Sequence, residues 1–163
     1  MNSRQKGLVT VEFALIGLLL MTLLFGIMEM SRAFFVWNAL TEATRRGARV
    51  AAVCPVEDPS IARITLFNGP GDAGASPIIS GLDTGNVSVE YLDATGTRLD
   101  CGGADDCAGA DFTRIAYVRV GISGFQHSLL LPPPFDLTLD VPPFETTLPR
   151  ESLGVVPDVG TQC

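Results

Sequence analysis

Few side chains in this sequence could do chemistry, and their spacing narrows what kind. Glu12 is the only ionisable residue between Lys6 and Glu29, inside the stretch KGLVTVEFALIGLLLMTLLFGIM. A lone carboxylate in such a segment costs about 2.5–3.5 kcal/mol on insertion scales unless it finds a partner, so the expected task of Glu12 is to pair with a cation. Four cysteines, Cys54, Cys101, Cys107 and Cys163, form an even set. Zinc would require paired C-x2-C or Cys/His spacing, whereas five residues separate Cys101 from Cys107 and the single histidine is His127. Asp100, Asp105, Asp106 and Asp111 cluster without the D-x-[DN]-x-[DN]-G pattern of a calcium loop. His127 reads as a polar residue at the end of a strand, and no G-x-S-x-G, H-E-x-x-H, P-loop or G-x-G-x-x-G accompanies it. The expectation is no catalytic site, no metal, no cofactor and no small-molecule substrate. Asn86-Val87-Ser88 matches a glycosylation sequon, read as a chance match inside a strand.

The carboxylate of Glu12 is positioned by the segment that contains it. From Leu8 to Met28 run 21 residues with no other charge, and at about 1.5 Å per residue a helix of that length matches the roughly 30 Å of a bilayer's hydrocarbon core. The basic residues Arg4 and Lys6 lie just before it, which keeps the N-terminus in the cytoplasm and exports the rest. An exported chain meets an oxidising compartment, so disulfides are expected. Four cysteines allow three connectivities; the expected one joins Cys101 to Cys107 across a Gly-containing loop and Cys54 to Cys163 across the whole domain. A removable secretory signal would end in small residues, but Met28-Glu29-Met30-Ser31-Arg32 does not, so any cleavage belongs before the apolar run, at Gly7.

Charge divides along the chain. Through Arg49 there are six basic residues (Arg4, Lys6, Arg32, Arg45, Arg46, Arg49) and three acidic ones (Glu12, Glu29, Glu42), out of 11 and 18 in all. The net charge of −7 is thus +3 at the apolar end and −10 beyond it, which argues against a nucleic-acid partner.

Past Met28 the helical pattern continues. Ala33, Val36, Trp37, Leu40, Ala43, Gly47, Val50, Ala51 and Cys54 recur three and four apart, and no proline intervenes before Pro55. One helix from about Leu8 to Val53 is expected, lipid-embedded in its first half (8–28) and amphipathic in its second (29–54). Gly47, Ala48, Ala51 and Ala52 would let another backbone come close. Asp58-Pro59-Ser60 reads as the start of a short second helix through Phe67. Asn86 to Leu92, Thr113 to Ile122 and Leu137 to Val141 alternate as strands. The expected fold is α+β, with an antiparallel sheet laid on the amphipathic half of the long helix to form a small domain over residues 55–163.

A basic leader ending in Gly7, a glutamate five residues later and an apolar helix behind it resemble the class III, type IV-like prepilin signal. The segment Val11 to Ala52, with V-E-F-A at its start and Arg46-Gly47-Ala48-Arg49 near its end, is similar to the TadE-like pseudopilin family. Phe13 follows the glutamate where the major Flp pilin commonly has tyrosine, and the outer part is too large for that very small pilin. The resemblance implies a type IV pilin-like fold. It further implies a minor pilin or pseudopilin that takes part in assembling a Tad-type Flp pilus for surface adherence. Residues 1–7 would be a leader removed between Gly7 and Leu8 by a membrane aspartyl prepilin peptidase, and Glu12 would set the stagger between subunits. Implied partners are other pilins or pseudopilins, the prepilin peptidase, the inner-membrane assembly platform with its ATPase, and membrane lipid. The implied location is the bacterial inner membrane, crossed once with the C-terminal domain in the periplasm, and the pilus itself as a further destination. The alternative is a stable single-pass envelope scaffold, TadG-like, that never enters a filament.

Overall fold

The computed structural model describes residues 3–69, 72, 74–101, 113–130, 137–155 and 163. Helix α1 spans Ser3–Val53, 51 residues, about 77 Å at the usual rise per residue. It begins before Leu8, where the apolar pattern starts, because Arg4, Gln5 and Lys6 are good helix formers and only Gly7 resists. It ends at Cys54, whose N–H still bonds Val50 O at 2.8 Å, since Pro55 has no N–H and restricts the residue before it.

The two halves of α1 differ as the sequence pattern requires. None of its most apolar stretch is buried, while Leu40, Ala43, Thr44, Gly47, Ala48, Ala51 and Ala52 in the second half are. Those positions form a stripe wide enough to carry a core. Helix α2 is Pro59–Thr65, shorter than the sequence suggests: Phe67 lies beyond its C-cap Leu66 and takes a positive φ of 63°. Its start is as expected, with Asp58 accepting from Ser60 N at 2.8 Å and proline in the first turn.

The sheet packed on α1 has strands β1 (Val87–Leu92), β2 (Arg98–Leu99), β3 (Tyr117–Ile122) and β6 (Phe144–Pro149) in the order β2-β1-β3-β6, all antiparallel. β3 is central, with Val89 opposite Val120, Tyr91 opposite Val118, and Leu148 opposite Val118 on the other side. Val118 and Val120 are fully buried and pack with Ala48, Ala51, Cys54 and Ile61; Ile122 joins Leu40, Ala43, Leu66 and Phe125 nearer the middle of α1. The α+β class, the long helix and the antiparallel sheet are as the sequence predicts.

One strand assignment is corrected. The segment 137–141, expected as the sheet's third strand, forms β5 (Thr138–Asp140), which pairs with β4 (Gln126–Ser128) in a separate two-stranded sheet. Its place beside β3 is taken by β6, which follows directly on Pro142-Pro143. Phe144, Thr146 and Leu148 alternate as half-buried residues with exposed Glu145, Thr147 and Pro149, and an edge strand accepts a proline whose missing N–H would face outward.

A disulfide joins Cys54, at the end of α1, to Cys163, with Cα atoms 5.9 Å apart. Cys101 is buried and also disulfide-bonded. Cys107, its expected partner, lies outside the described residues, as do Asp105, Asp106 and Asp111 of the acidic cluster. Gly154, at a φ of 79°, brings the C-terminal segment against Pro55, where its N–H donates to Val53 O.

Candidate processing and assembly site

Gly7, Leu8 and Glu12 all lie on the bare half of α1. Leu8 and Glu12 are four residues apart, one turn, and so share a face. Leu8 is 72 % exposed, Glu12 is exposed as well, and among the described residues nothing pairs with its carboxylate. A Cβ added at Gly7 would meet nothing within 4 Å. Packing within the chain therefore gives no reason for glycine there, although glycine inside a helix costs roughly 0.5–1 kcal/mol relative to alanine. Thr22, a polar side chain in the same run, satisfies its own hydroxyl by donating to Leu18 O at 2.8 Å. Glu12 has no such local outlet.

Gly47, Ala48 and Ala51 are brought together with the domain. A Cβ at Gly47 would fall within contact distance of Thr65 in α2 and 2.9 Å from Val120 Cγ1 in β3, while Ala48 and Ala51 are fully buried beside it. The small residues let α2 and β3 meet the helix backbone together. Beyond them Thr44, in the same stripe, shares a hydroxyl hydrogen bond of 3.0 Å with Thr146 of β6. Next to Gly47, Arg46 stacks its guanidinium over Phe67 at 5.3 Å. These contacts hold the folded domain on one end of the helix and leave the other end unclad.

At the junction of the halves the structure assembles a cluster that local sequence patterns miss. Glu29 is the first charged residue after the apolar run, and both its carboxylate oxygens accept from Arg32 Nη1, at 2.9 and 3.0 Å. Arg32 Nη2 donates to Ser128 O at 3.2 Å. His127, expected as an ordinary strand-end polar residue, is 6 % exposed, and its Nε2 faces Glu29 Oε1 at 3.5 Å without a hydrogen bond of good geometry. The only local hint of this cluster is the Glu29/Arg32 spacing of three. The contacts with 127 and 128 span nearly the whole domain in sequence.

A second charge network lies on the sheet, where Glu90 faces Arg98 at 3.2 Å and Arg119 at 3.5 Å, and Arg119 reaches Glu145 at 3.8 Å. Among the described residues no group of three or more His, Cys, Asp or Glu could hold a metal ion. Asp93, in the turn after β1, has its carboxyl held below the usual range chiefly by the Thr95 hydroxyl and then by the Thr97 N–H; this is a turn-stabilising arrangement.

Residues 7–49 match the family model of TadE-like proteins. No curated protein and no solved structure matches the chain. The matched segment runs from the glycine before the apolar run through Arg49 and contains Glu12, Glu29, Arg32 and Gly47.

Proposed function

We propose that this chain, which over residues 7–49 belongs to the TadE-like family, is a minor pilin or pseudopilin that helps assemble a Tad-type Flp pilus. The observation that carries the reading is the bare half of α1. It holds a carboxylate at Glu12 that has no partner among the described residues, which makes sense if its partner is another molecule.

Residues 1–7 are then a leader, and a prepilin peptidase hydrolyses the Gly7–Leu8 peptide bond. Water adds across it, leaving a carboxylate on Gly7 and an ammonium on Leu8. The helix-disfavouring glycine eases local unwinding at the scissile bond. The new ammonium lies about one turn from Glu12 of its own chain, while that of a neighbouring subunit shifted by a turn can approach Glu12 head-on. Opposite charges 4 Å apart attract by about 4 kcal/mol at an effective dielectric near 20, before desolvation is subtracted, which is enough to bias the stagger of packed helices. The other pilins and the assembly platform are the partners on this reading, and the inner membrane is the starting location, with the N-terminus inside and the domain in the periplasm.

The test is Glu12→Gln as the only copy in the cell. The variant is expected to be processed and inserted normally but to lose pilus assembly. Normal piliation would show instead that Glu12 merely reaches out of the lipid at the boundary.

A further inference from the structure

After Phe125 the chain leaves the main sheet and descends along α1 toward its apolar half. Arg32 Nη2 holds Ser128 O at 3.2 Å, and two residues later the N–H of Leu130 donates to Glu29 Oε2 at 3.4 Å. Residue numbers rise from Ser128 to Leu130 as they fall from Arg32 to Glu29, so this strand end runs along the helix toward the apolar run. β5 returns with Thr138 opposite Ser128, and Leu129 N to Leu137 O at 3.0 Å extends the pairing one residue farther down. Side chains on a helix lean toward its N-terminus, so the Glu29 carboxylate is displaced toward Met28 and takes Leu130 with it.

Leu130 and Leu137 are 62 % and 53 % exposed at this level, and on the adjoining turns of α1 Met30 and Phe34 are 60 % and 62 % exposed. Between them the Glu29 carboxylate is turned toward Arg32, His127 and the Leu130 N–H, and Arg32 stays partly open to the surface. Exposed apolar side chains thus stand on the ends of β4 and β5 and on the helix turns where the unclad half of α1 begins. The polar interfacial layer adds about 5–7 Å to each side of the hydrocarbon core, and with residues 8–28 in that core the Leu130 N–H, which meets the carboxylate one residue past the run, would fall within it.

We propose that the β4–β5 hairpin is a second membrane contact, laying Leu130 and Leu137 into the interfacial layer of the bilayer beside the helix. Lipid is the occupant because the patch begins where the apolar run ends, at the height of the headgroups. The outer domain is thereby seated on the membrane surface in a fixed orientation. The inference rests on residues 8–28 spanning the bilayer.

The test uses the full chain in phosphatidylcholine vesicles at low protein-to-lipid ratio, in a Trp37→Phe background that removes the one native tryptophan. Tryptophan is introduced singly as Leu130→Trp, Leu20→Trp and Val155→Trp, and read with and without lipid brominated at a shallow acyl position. The expected result is a blue shift and loss of emission for Leu130→Trp and loss of emission for Leu20→Trp, with neither at Val155→Trp. Quenching at Leu20 with Leu130→Trp behaving like Val155→Trp would overturn the hairpin contact and leave the span intact. Absence of quenching at Leu20 would overturn the span and the contact together. A blue shift at Leu130 without lipid quenching would assign the patch to a second copy of the chain and would also overturn the proposal. If Leu130→Trp does not fold, Leu137→Trp decides by the same criteria.

Discussion

Gly47 of α1 lies against Thr65 of α2, so close that a Cβ at position 47 would collide with the Thr65 hydroxyl and then with Val120 Cγ1 at 2.9 Å. Thr65 is fully buried and its hydroxyl donates to Ile61 O at 2.7 Å, so it has nowhere to retreat. Helix propensity alone would favour replacing this glycine. Packing reverses the sign: Gly47→Leu is expected to destabilise the domain by about 1–3 kcal/mol, the usual cost of overfilling a core. Chemical denaturation of the full chain in detergent reads this directly, and an unchanged or raised midpoint would contradict the packed interface.

The bridge between Cys54 and Cys163 closes a loop with a sequence separation of 109. For a loop of that size chain-entropy models give a stabilisation of about 4–5 kcal/mol. The double variant Cys54→Ala, Cys163→Ala should therefore be far more sensitive to denaturant than the parent. Peptide mapping without reduction should recover a Cys54–Cys163 peptide. Recovery of Cys54 joined to Cys101 would contradict the pairing.

Tyr91 supplies a pH signature. Burial pushes its phenol above the usual value near 10, partly offset by the Glu57 N–H that donates to its oxygen at 2.8 Å. The unfolded chain gives up this proton at the usual pKa while the folded chain keeps it. Stability from the neutral buried phenol is thus whole below about pH 10 and falls as pH rises through the folded pKa. Tyr91→Phe should lose about 1 kcal/mol at neutral pH with the hydrogen bond, and should decline less steeply in alkali. Urea unfolding from about pH 8 to 11 compares the two, and parallel curves would rule out Tyr91 as the source.

Local signals carried the fold where one element sufficed. The stripe at Leu40, Ala43, Gly47 and Ala51, the Asp58-Pro59 start of α2, and the alternation in Val87–Leu92 and Tyr117–Ile122 each announce an element and its buried face. Pairing was less legible. β5 and β6 are both short alternating segments near prolines, and only the register with Tyr117–Ile122 makes one a sheet neighbour and sends the other to β4. The cluster at Glu29 was hidden for the same reason, because its partners lie about a hundred residues away and His127 carries no motif. Glu12 stood out in the sequence as a carboxylate in an apolar run, and Gly7 as the residue between the basic leader and that run.

If the bare half of α1 is made for processing and then for packing against other subunits, the intact mass of the chain recovered from membranes of its native cell will show it. The expected result is a mature chain that begins at Leu8, lacking the segment from Met1 to Gly7. A mature chain that still carries that segment would contradict the pilin reading.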